Sequence, residues 1–499
     1  MSTTVTPESF PGASGTSSAP AAAVPDTVTI LDPRDGTLVG TVEAAGRGKL
    51  KAAVATAREA LPGWAATDPA ERGGMLRAAA AALAARAAEL AAWNSRETGR
   101  PEAEALAGVT AGVATLQQYA ELGPVHRGHS LRGAVLAADY TVSGPRGVAV
   151  VLTPWNDPVA VAAGLVGAAL AAGNTVIHKP SERSPHTGNL LGDILSPHFP
   201  AGVLATVTGG GDVGAQLCMD AGVDVVAHVG SSAAGARIAR AAALTGAHVI
   251  LENGGNDPLL VDADVDPRWA AGQAAVGAFS NSGQICTAVE RIYVHRAIAA
   301  EFCAELAAQA RQRNRQGAVA PLVDIRAREA VHRQVAEAVF LGATAAEGGS
   351  IPAGPGAHYP ATVLLNCSAG MELFREETFG PVAAVQVVDS FEEGLALAAA
   401  GTFGLAATVL TGSLAHAQQA VAGLDVGTVK VNAVFGGAPG GSAQPRGRSG
   451  RGFGYGPELL DEFSLVKVVH LGNPPAMAGA ARANAPAGDP AVDPAGERE

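Results

Sequence analysis

The sequence predicts an α/β protein organised around a parallel β-sheet. From Val148 onward, short runs of β-branched and aliphatic residues alternate with alanine-rich stretches of helical length. Each run ends in a turn bearing Gly, Pro, Ser or Asn, the pattern of repeated βαβ units. The chain has 499 residues, of which 48% are hydrophobic and 16% charged. That length suits two or three domains at roughly 100–200 residues each. With 63 glycines and 31 prolines the chain stays below low-complexity composition, which excludes a mostly disordered protein.

Charge and cysteine content narrow the class. The net charge is −12, and the lysines are confined to Lys49, Lys51, Lys179, Lys430 and Lys467. A nucleic-acid partner would require a basic face for phosphates, so none is expected. Cys218, Cys286, Cys303 and Cys367 form no CxxC pair and no dense framework, which points to a reducing compartment and no metal site. Residues 1–25 have neither a basic n-region nor an apolar core and do not read as a signal peptide. No window reaches the roughly 20 consecutive strongly apolar residues of a membrane span. A cytoplasmic protein without membrane association is expected.

The elements follow in order. Residues 1–25 and 473–499 are rich in small and polar residues and are expected to be disordered. A helix is expected over Asp68–Thr98, with Asp68 as N-cap, Pro69 in the first turn, Glu71 completing a capping box, and Gly99 and Pro101 as the stop. Strands are expected at Val148–Leu152, Thr175–Ile177, Val203–Val207, Val223–Val229 and His248–Leu251. Helices are expected between them at Val159–Ala172, Ser184–Leu195, Val213–Ala221 and Ala233–Thr245. Parallel sheets bind ligands beyond the carboxyl ends of their strands. Chemistry-bearing residues stand at those ends: Thr153 to Pro158, His178 to Pro185, Gly230 to Gly235 and Glu252 to Asp257. A further helical segment is expected to hold Asn281 to Ala288, and Arg375 to Val382 forms a later cluster.

Several of these residues have both a functional and a plain structural reading. Gly209 to Gly214 fits G-x-G-x-x-G after a strand, and it also fits a simple turn. Gly230-Ser231 offers free backbone N–H groups to a phosphate, or an ordinary serine cap. Lys179 and Glu182 could address a ribose or form a surface ion pair. Cys286 follows Gly283 and Gln284, and glycine beside a nucleophile permits close substrate approach. The other cysteines read as packed side chains. Glu252 ends an apolar strand, where lost hydration would raise its pKa toward that of a useful base. The Asn156 amide could stabilise a developing oxyanion or cap a turn.

Taken together, Thr153-Pro154-Trp155-Asn156, Lys179 with Glu182, Gly230-Ser231, Glu252 with Gly254-Gly255, Gly283 to Cys286, and Glu376 to Pro381 occur in an order that resembles the aldehyde dehydrogenase superfamily. The resemblance spans about residues 26–472. It implies an aldehyde dehydrogenase-like fold with a Rossmann-like cofactor domain over 26–125 and 146–252, an α/β catalytic domain over 253–461, and a small β oligomerisation flap from 126–145 and 462–472. A homodimer or homotetramer is then expected.

The resemblance also implies roles. Cys286 as a thiolate would attack an aldehyde, and Asn156 with the Cys286 backbone N–H would hold the oxyanion. Glu252 would activate water on the thioester. Thr153, Trp155, Lys179, Ser181, Glu182, Gly214, Gly230, Ser231, Glu377 and Phe379 would contact the cofactor. Glu182 favours NAD, with NADP possible because Arg183 is adjacent. Asp157, Ile285 and Thr287 would line the substrate pocket. Relatives that pass the acyl group to coenzyme A generally lack a carboxylate at the position of Glu252, so release of a free acid is preferred to that alternative. A catalytically silent scaffold would lack the Cys, Glu or Asn that this chain keeps.

Three departures stand out. Asp157 replaces a usual aromatic or aliphatic residue and predicts a polar mouth. The usual Glu-Leu-Gly-Gly-Lys becomes Glu252-Asn253-Gly254-Gly255-Asn256. The loop 436–452 carries Arg446, Arg448 and Arg451, where they would either read an anionic substrate or stand solvated.

Overall fold

The computed structural model describes residues 27–436 and 441–472. The expectations for the tails 1–25 and 473–499 lie outside the described residues, as does the stretch 437–440 of the arginine-bearing loop.

Five parallel strands form the first sheet: Val148–Leu152, Thr175–Lys179, Leu204–Thr206, Val225–Val229 and His248–Glu252. Numbered in chain order, they lie side by side as 3-2-1-4-5, with Gly450–Arg451 added antiparallel at the edge beside His248–Glu252. The order reverses between Val148–Leu152 and Val225–Val229, which opens a crevice at their carboxyl ends. Register aligns the ends that matter: Leu152 pairs with Lys179 and with His228, and Val229 pairs with Glu252.

Strand alternation explains why these runs are apolar throughout. Ala149, Val151 and Val176 face a core containing Trp64, Leu76 and Tyr119. Val148, Val150 and Ile177 face a second core with Leu50, Val54 and Leu217. A sheet covered on both faces must be apolar on both. The helix Pro158–Ala171 is likewise buried on nearly all sides. Its small residues let it lie against the helix Glu102–Val125, where a β-carbon on Gly112 would come within 3.2 Å of Val159 O.

The second sheet has seven strands in the order Thr344–Glu347, Thr362–Leu365, Val382–Val388, Val289–His295, Asp257–Val261, Ala406–Leu410 and Thr428–Val431. All its pairings are parallel except the one at Thr344–Glu347. A separate antiparallel sheet joins Ser130–Leu131, Ala138–Pro145 and Ser464–Leu471. Among the described residues no helix is long and apolar enough to cross a membrane.

Three sequence expectations need correction. The helix expected over Asp68–Thr98 is two helices, Pro69–Ala85 and Ala87–Thr98, separated by Arg86 at φ −114° and ψ 20°. The change of direction lets Glu97, buried in the second helix, accept from the His186 and Thr187 backbone N–H groups at 2.8 and 2.9 Å. A carboxylate there meets the positive end of the helix Pro185–Leu195. Neither Gly nor Pro marks this break in sequence. The helix expected at Val213–Ala221 instead runs over Gly211–Cys218. The segment around Cys286 is not helical: a single 3-10 turn, Ser280–Gly283, precedes it.

Candidate active site

The turn that delivers Cys286 is strained and pinned. Asn281, Ser282 and Gly283 have φ of 46°, 54° and 71°, a left-handed run that non-glycine residues rarely adopt. Side chains hold it there. Ser282 Oγ donates to Ala320 O at 2.6 Å, and Gln284 Oε1 accepts from Val323 N at 2.9 Å. Gly283 packs so tightly that a β-carbon would sit 2.0 Å from Gly380 O. Asn156 Nδ2 donates to Gln284 O at 3.0 Å, which ties the end of the first sheet to this turn. One amide hydrogen of Asn156 remains for another acceptor.

Two cavities meet at Cys286 and Glu252. One, of about 500 Å³, also carries Trp155, Asn156, Ser231, Glu377 and Phe379. The other, of about 470 Å³, carries Thr115, Thr287, Thr428 and Tyr455. The first shares Pro154, Trp155, Arg183, Gly230 and Ser231 with a third cavity that runs along the crevice to Lys179, Ser181, Glu182 and Gly214. A long ligand laid along the switch point would therefore reach Cys286 from one side, leaving the Thr287 cavity on the other.

The crevice residues are placed as follows. Lys179 is buried, donates to Pro180 O at 3.0 Å, and lies 3.9 Å from Glu182 Oε2. A β-carbon on Gly214 would rest 3.6 Å from the Lys179 stem, an ordinary van der Waals contact. Thr153 Oγ1 is shared with His178 Nε2 at 2.9 Å, and Ser181 Oγ accepts from Arg183 N at 3.2 Å. Ser231 Oγ caps the helix Ser232–Thr245 by accepting from Ala234 N at 3.3 Å. The structural reading of Ser231 thus holds while the residue still lines the cavity. Trp155 and Phe379 meet edge to face at 5.7 Å between ring centres.

Burial sets the electrostatics. It pushes the Glu252 carboxyl up to about 8, against one opposing hydrogen bond from the Gly454 backbone. It also pushes the Cys286 thiol up to about 12, reinforced by the Glu252, Asp257 and Glu377 carboxylates. Burial first, and the neighbouring carboxyl groups second, favour the thiol at rest, so the thiolate expected to attack has to form during the reaction. Glu377, raised first by burial and then by Glu290, accepts from Gly255 N at 3.2 Å.

Asp157, Ile285 and the loop arginines have the following places. Asp157 lines the cavity with Trp155 and Phe379, not the one with Thr287, and its charge is paired with Arg100 at 3.0 Å. Ile285 also lies on the Trp155 side. The loop arginines line neither cavity: Arg446 pairs with Asp425, and Arg448 pairs with Glu376 at 2.7 Å while stacking over Phe403. Ion pairing accounts for Arg446 and Arg448 better than anion recognition does.

Sequence reasoning assigned no role to several residues. Arg100, between Gly99 and Pro101 of the helix stop, donates to Asn156 O at 3.1 Å. Asn256 Nδ2 points at three acceptors, Glu290 Oε2, Leu373 O and Glu376 O, within 2.9–3.1 Å. This bridges strand and loop where a lysine is usual. His228 is buried in the crevice wall against Gly230. Gly454 touches Glu252 across the edge strand. The only sequence signal for these was position, since Asn256 and His228 stand near strand ends.

The chain is similar to known proteins over most of its length. The aldehyde dehydrogenase family profile matches residues 21–469. A betaine aldehyde dehydrogenase of Cereibacter sphaeroides is 35% identical over 90% of this chain and 94% of its own length. An NAD(+) benzaldehyde dehydrogenase of Pseudomonas putida is 33% identical over 90% and 93%. The crystal structure of Staphylococcus aureus betaine aldehyde dehydrogenase in complex with NAD+ superimposes with a TM-score of 0.87 at 27% identity, covering 91% of this chain and 93% of that one.

Proposed function

The chain belongs to the aldehyde dehydrogenase family, and from that premise we propose that Cys286, Glu252 and Asn156 carry its NAD-dependent oxidation of an aldehyde to a carboxylic acid. The observation that carries the assignment is the convergence of the crevice cavity and the Thr287 cavity on Cys286 and Glu252.

The residues fit a dinucleotide. The crevice offers a buried ammonium at Lys179, a carboxylate at Glu182, the N-terminus of a fourteen-residue helix at Ser232–Thr245, and a Ser232 hydroxyl without a partner among the described residues. Lys179 and Glu182 would hold the adenosine ribose, Gly230 and Ser231 the diphosphate, and Glu377 the second ribose. Thr153, Trp155, Ser181, Gly214 and Phe379 would shape the walls. Bound NAD supplies the hydride acceptor. NAD is favoured over NADP because Glu182 faces the ribose position, and Arg183 is already paired with Asp324 at 2.9 Å and stacked over Trp155.

Cys286 Sγ attacks the aldehyde carbon as its thiol proton passes to solvent water. The Asn156 amide hydrogen not used by Gln284 O, together with the Cys286 backbone N–H, receives the oxygen as it gains charge. Once the hydride has left, the acyl group remains on sulfur as a thioester. Glu252, with its carboxyl near 8, takes a proton from water that attacks the thioester. The acid departs and the thiol returns. A carboxylate at this place favours hydrolysis over transfer to coenzyme A.

The first sheet with the N-terminal helices serves as the cofactor domain in this reading, and the seven-stranded sheet as the catalytic domain. The three-stranded sheet is the association flap: its outer strand exposes Leu465, Val466, Val468 and Leu471. An edge so apolar calls for a partner, here a second copy in a dimer or tetramer. A cytoplasmic location accords with the free cysteines. Reduced-nicotinamide formation by the purified protein tests the reaction. Turnover lost in Cys286→Ala, with NADH binding kept, supports the assignment, and turnover retained in that variant refutes it.

A further inference from the structure

The two sequence features that pointed to a charged substrate, Asp157 and the loop arginines, are both accounted for elsewhere. Asp157 is paired with Arg100 in the crevice-side cavity. Arg446 and Arg448 are paired outside both cavities. What remains to recognise the aldehyde is the Thr287 cavity on the other side of Cys286.

Its lining is nearly free of charge. Arg100, Arg183 and Arg326 all line the crevice side, and no Arg, Lys or His is among the described residues lining the Thr287 cavity. Glu252 is the sole carboxylate among the described residues that line it. The wall combines hydroxyls, on Thr115, Thr287, Thr428 and Ser442, with small apolar side chains such as Ala160 and Val161. Tyr455 is the one aromatic residue, and its hydroxyl donates to Gln118 Oε1 at 3.2 Å.

A cationic aldehyde such as a quaternary ammonium needs aromatic faces or a free carboxylate around its charge. A single tyrosine does not make a cage, and Glu252 is committed to activating water. An anionic aldehyde would lose its hydration with no cation to replace it, beside a carboxylate that repels it. At about 470 Å³ the cavity has the volume of ordinary small-molecule pockets and exceeds the needs of a two-carbon chain.

We propose that the aldehyde oxidised by this enzyme is uncharged and of ring size, held by the hydroxyl and small apolar wall of the Thr287 cavity. The inference rests on the placement of the active site at Cys286 given above. It separates this chain from its betaine aldehyde dehydrogenase relatives in substrate, while the reaction is shared.

The test compares kcat/KM for benzaldehyde, an uncharged ring aldehyde, with that for betaine aldehyde and succinic semialdehyde, using NAD and the full chain. The expected result is at least a tenfold advantage for benzaldehyde over both charged compounds. Equal or better turnover of either charged aldehyde overturns the proposal. Thr428→Trp supplies the control, because Thr428 is exposed into the cavity and a larger side chain there has room to fold. The variant is expected to raise KM for benzaldehyde at least tenfold and leave NADH binding unchanged. If it leaves the kinetics of every aldehyde unchanged, the Thr287 cavity is not the substrate's, and the site reading falls with the proposal. If it acts while a charged aldehyde is preferred, the site reading stands and only the substrate class is overturned.

Discussion

Gly454 lies so close to Glu252 that a β-carbon on it would stand 2.1 Å from Glu252 Cγ and 2.4 Å from Oε1. The same glycine gives the carboxylate a backbone hydrogen bond. The edge strand Gly450–Arg451, paired with Glu252 and Leu251, brings it there. Gly454→Ala must therefore push the Glu252 side chain out of place. The expected outcome is a steady-state rate at least tenfold lower with the first-turnover burst of NADH retained. Stopped-flow absorbance measures both phases, and an unchanged steady rate would show that Glu252 tolerates the shift.

Glu252 itself should govern the pH profile. Burial raises its carboxyl to about 8, so the basic form fills in as pH rises through that value. Steady-state hydrolysis should climb up to about pH 8 and level off above it. Glu252→Gln should abolish the climb and lower the steady rate by roughly 10²–10⁴, with the burst retained. A pH–rate series on both proteins checks this, and a climb that survives in the variant would assign the base elsewhere.

Gly254 plays the corresponding part for Glu377. A β-carbon on Gly254 would lie 2.1 Å from Glu377 Oε2. Gly254→Ala should weaken NADH binding at least tenfold by displacing the carboxylate proposed to hold the ribose. Fluorescence titration of NADH reads this directly. Unaltered affinity would remove Glu377 from the cofactor site.

Arg100 holds both Asn156 O and the Asp157 carboxylate. Arg100→Ala leaves Asp157 unpaired and the Asn156 backbone untethered, a change of roughly 1–3 kcal/mol for a lost charge-assisted hydrogen bond. A fall in kcat of about tenfold, with NADH affinity little changed, is the expected pattern. A loss confined to thermal stability would make Arg100 a purely structural residue.

Acid should destabilise the fold through two buried histidines. Burial lowers His178 to about 3 and His228 to about 4, from an ordinary value of 6.5. The unfolded chain takes up protons that the folded state refuses, so stability is lost as pH falls below about 6.5 toward those values. Urea midpoints should drop between pH 7 and pH 5, and His228→Phe should reduce the drop. A midpoint equally sensitive in that variant would place the acid lability elsewhere.

The sequence carried much of the fold because parallel sheets write themselves locally. A strand buried on both faces is apolar at every position, as Val148–Leu152 is, and the helix that follows needs a cap and a small-residue face. Cys286, Glu252 and Asn156 were legible for the same reason, since they sit in turns after apolar strands or in a glycine-bearing loop. The break at Arg86 was not legible, because it satisfies Glu97 at the start of a helix far along the chain.

By itself the sequence determined the βαβ order, the crevice at the strand ends and the residues with reactive side chains, all of which follow from neighbours in the chain. The tertiary structure alone decided which charges meet. It paired Asp157 with Arg100 and Arg448 with Glu376, and it set Gly454 against Glu252. It also favoured the thiol at Cys286 by burying it, beside Glu252, Asp257 and Glu377. Electrostatic energy and hydration depend on distance in space and on burial, and neither quantity is fixed until the two sheets have closed on one another.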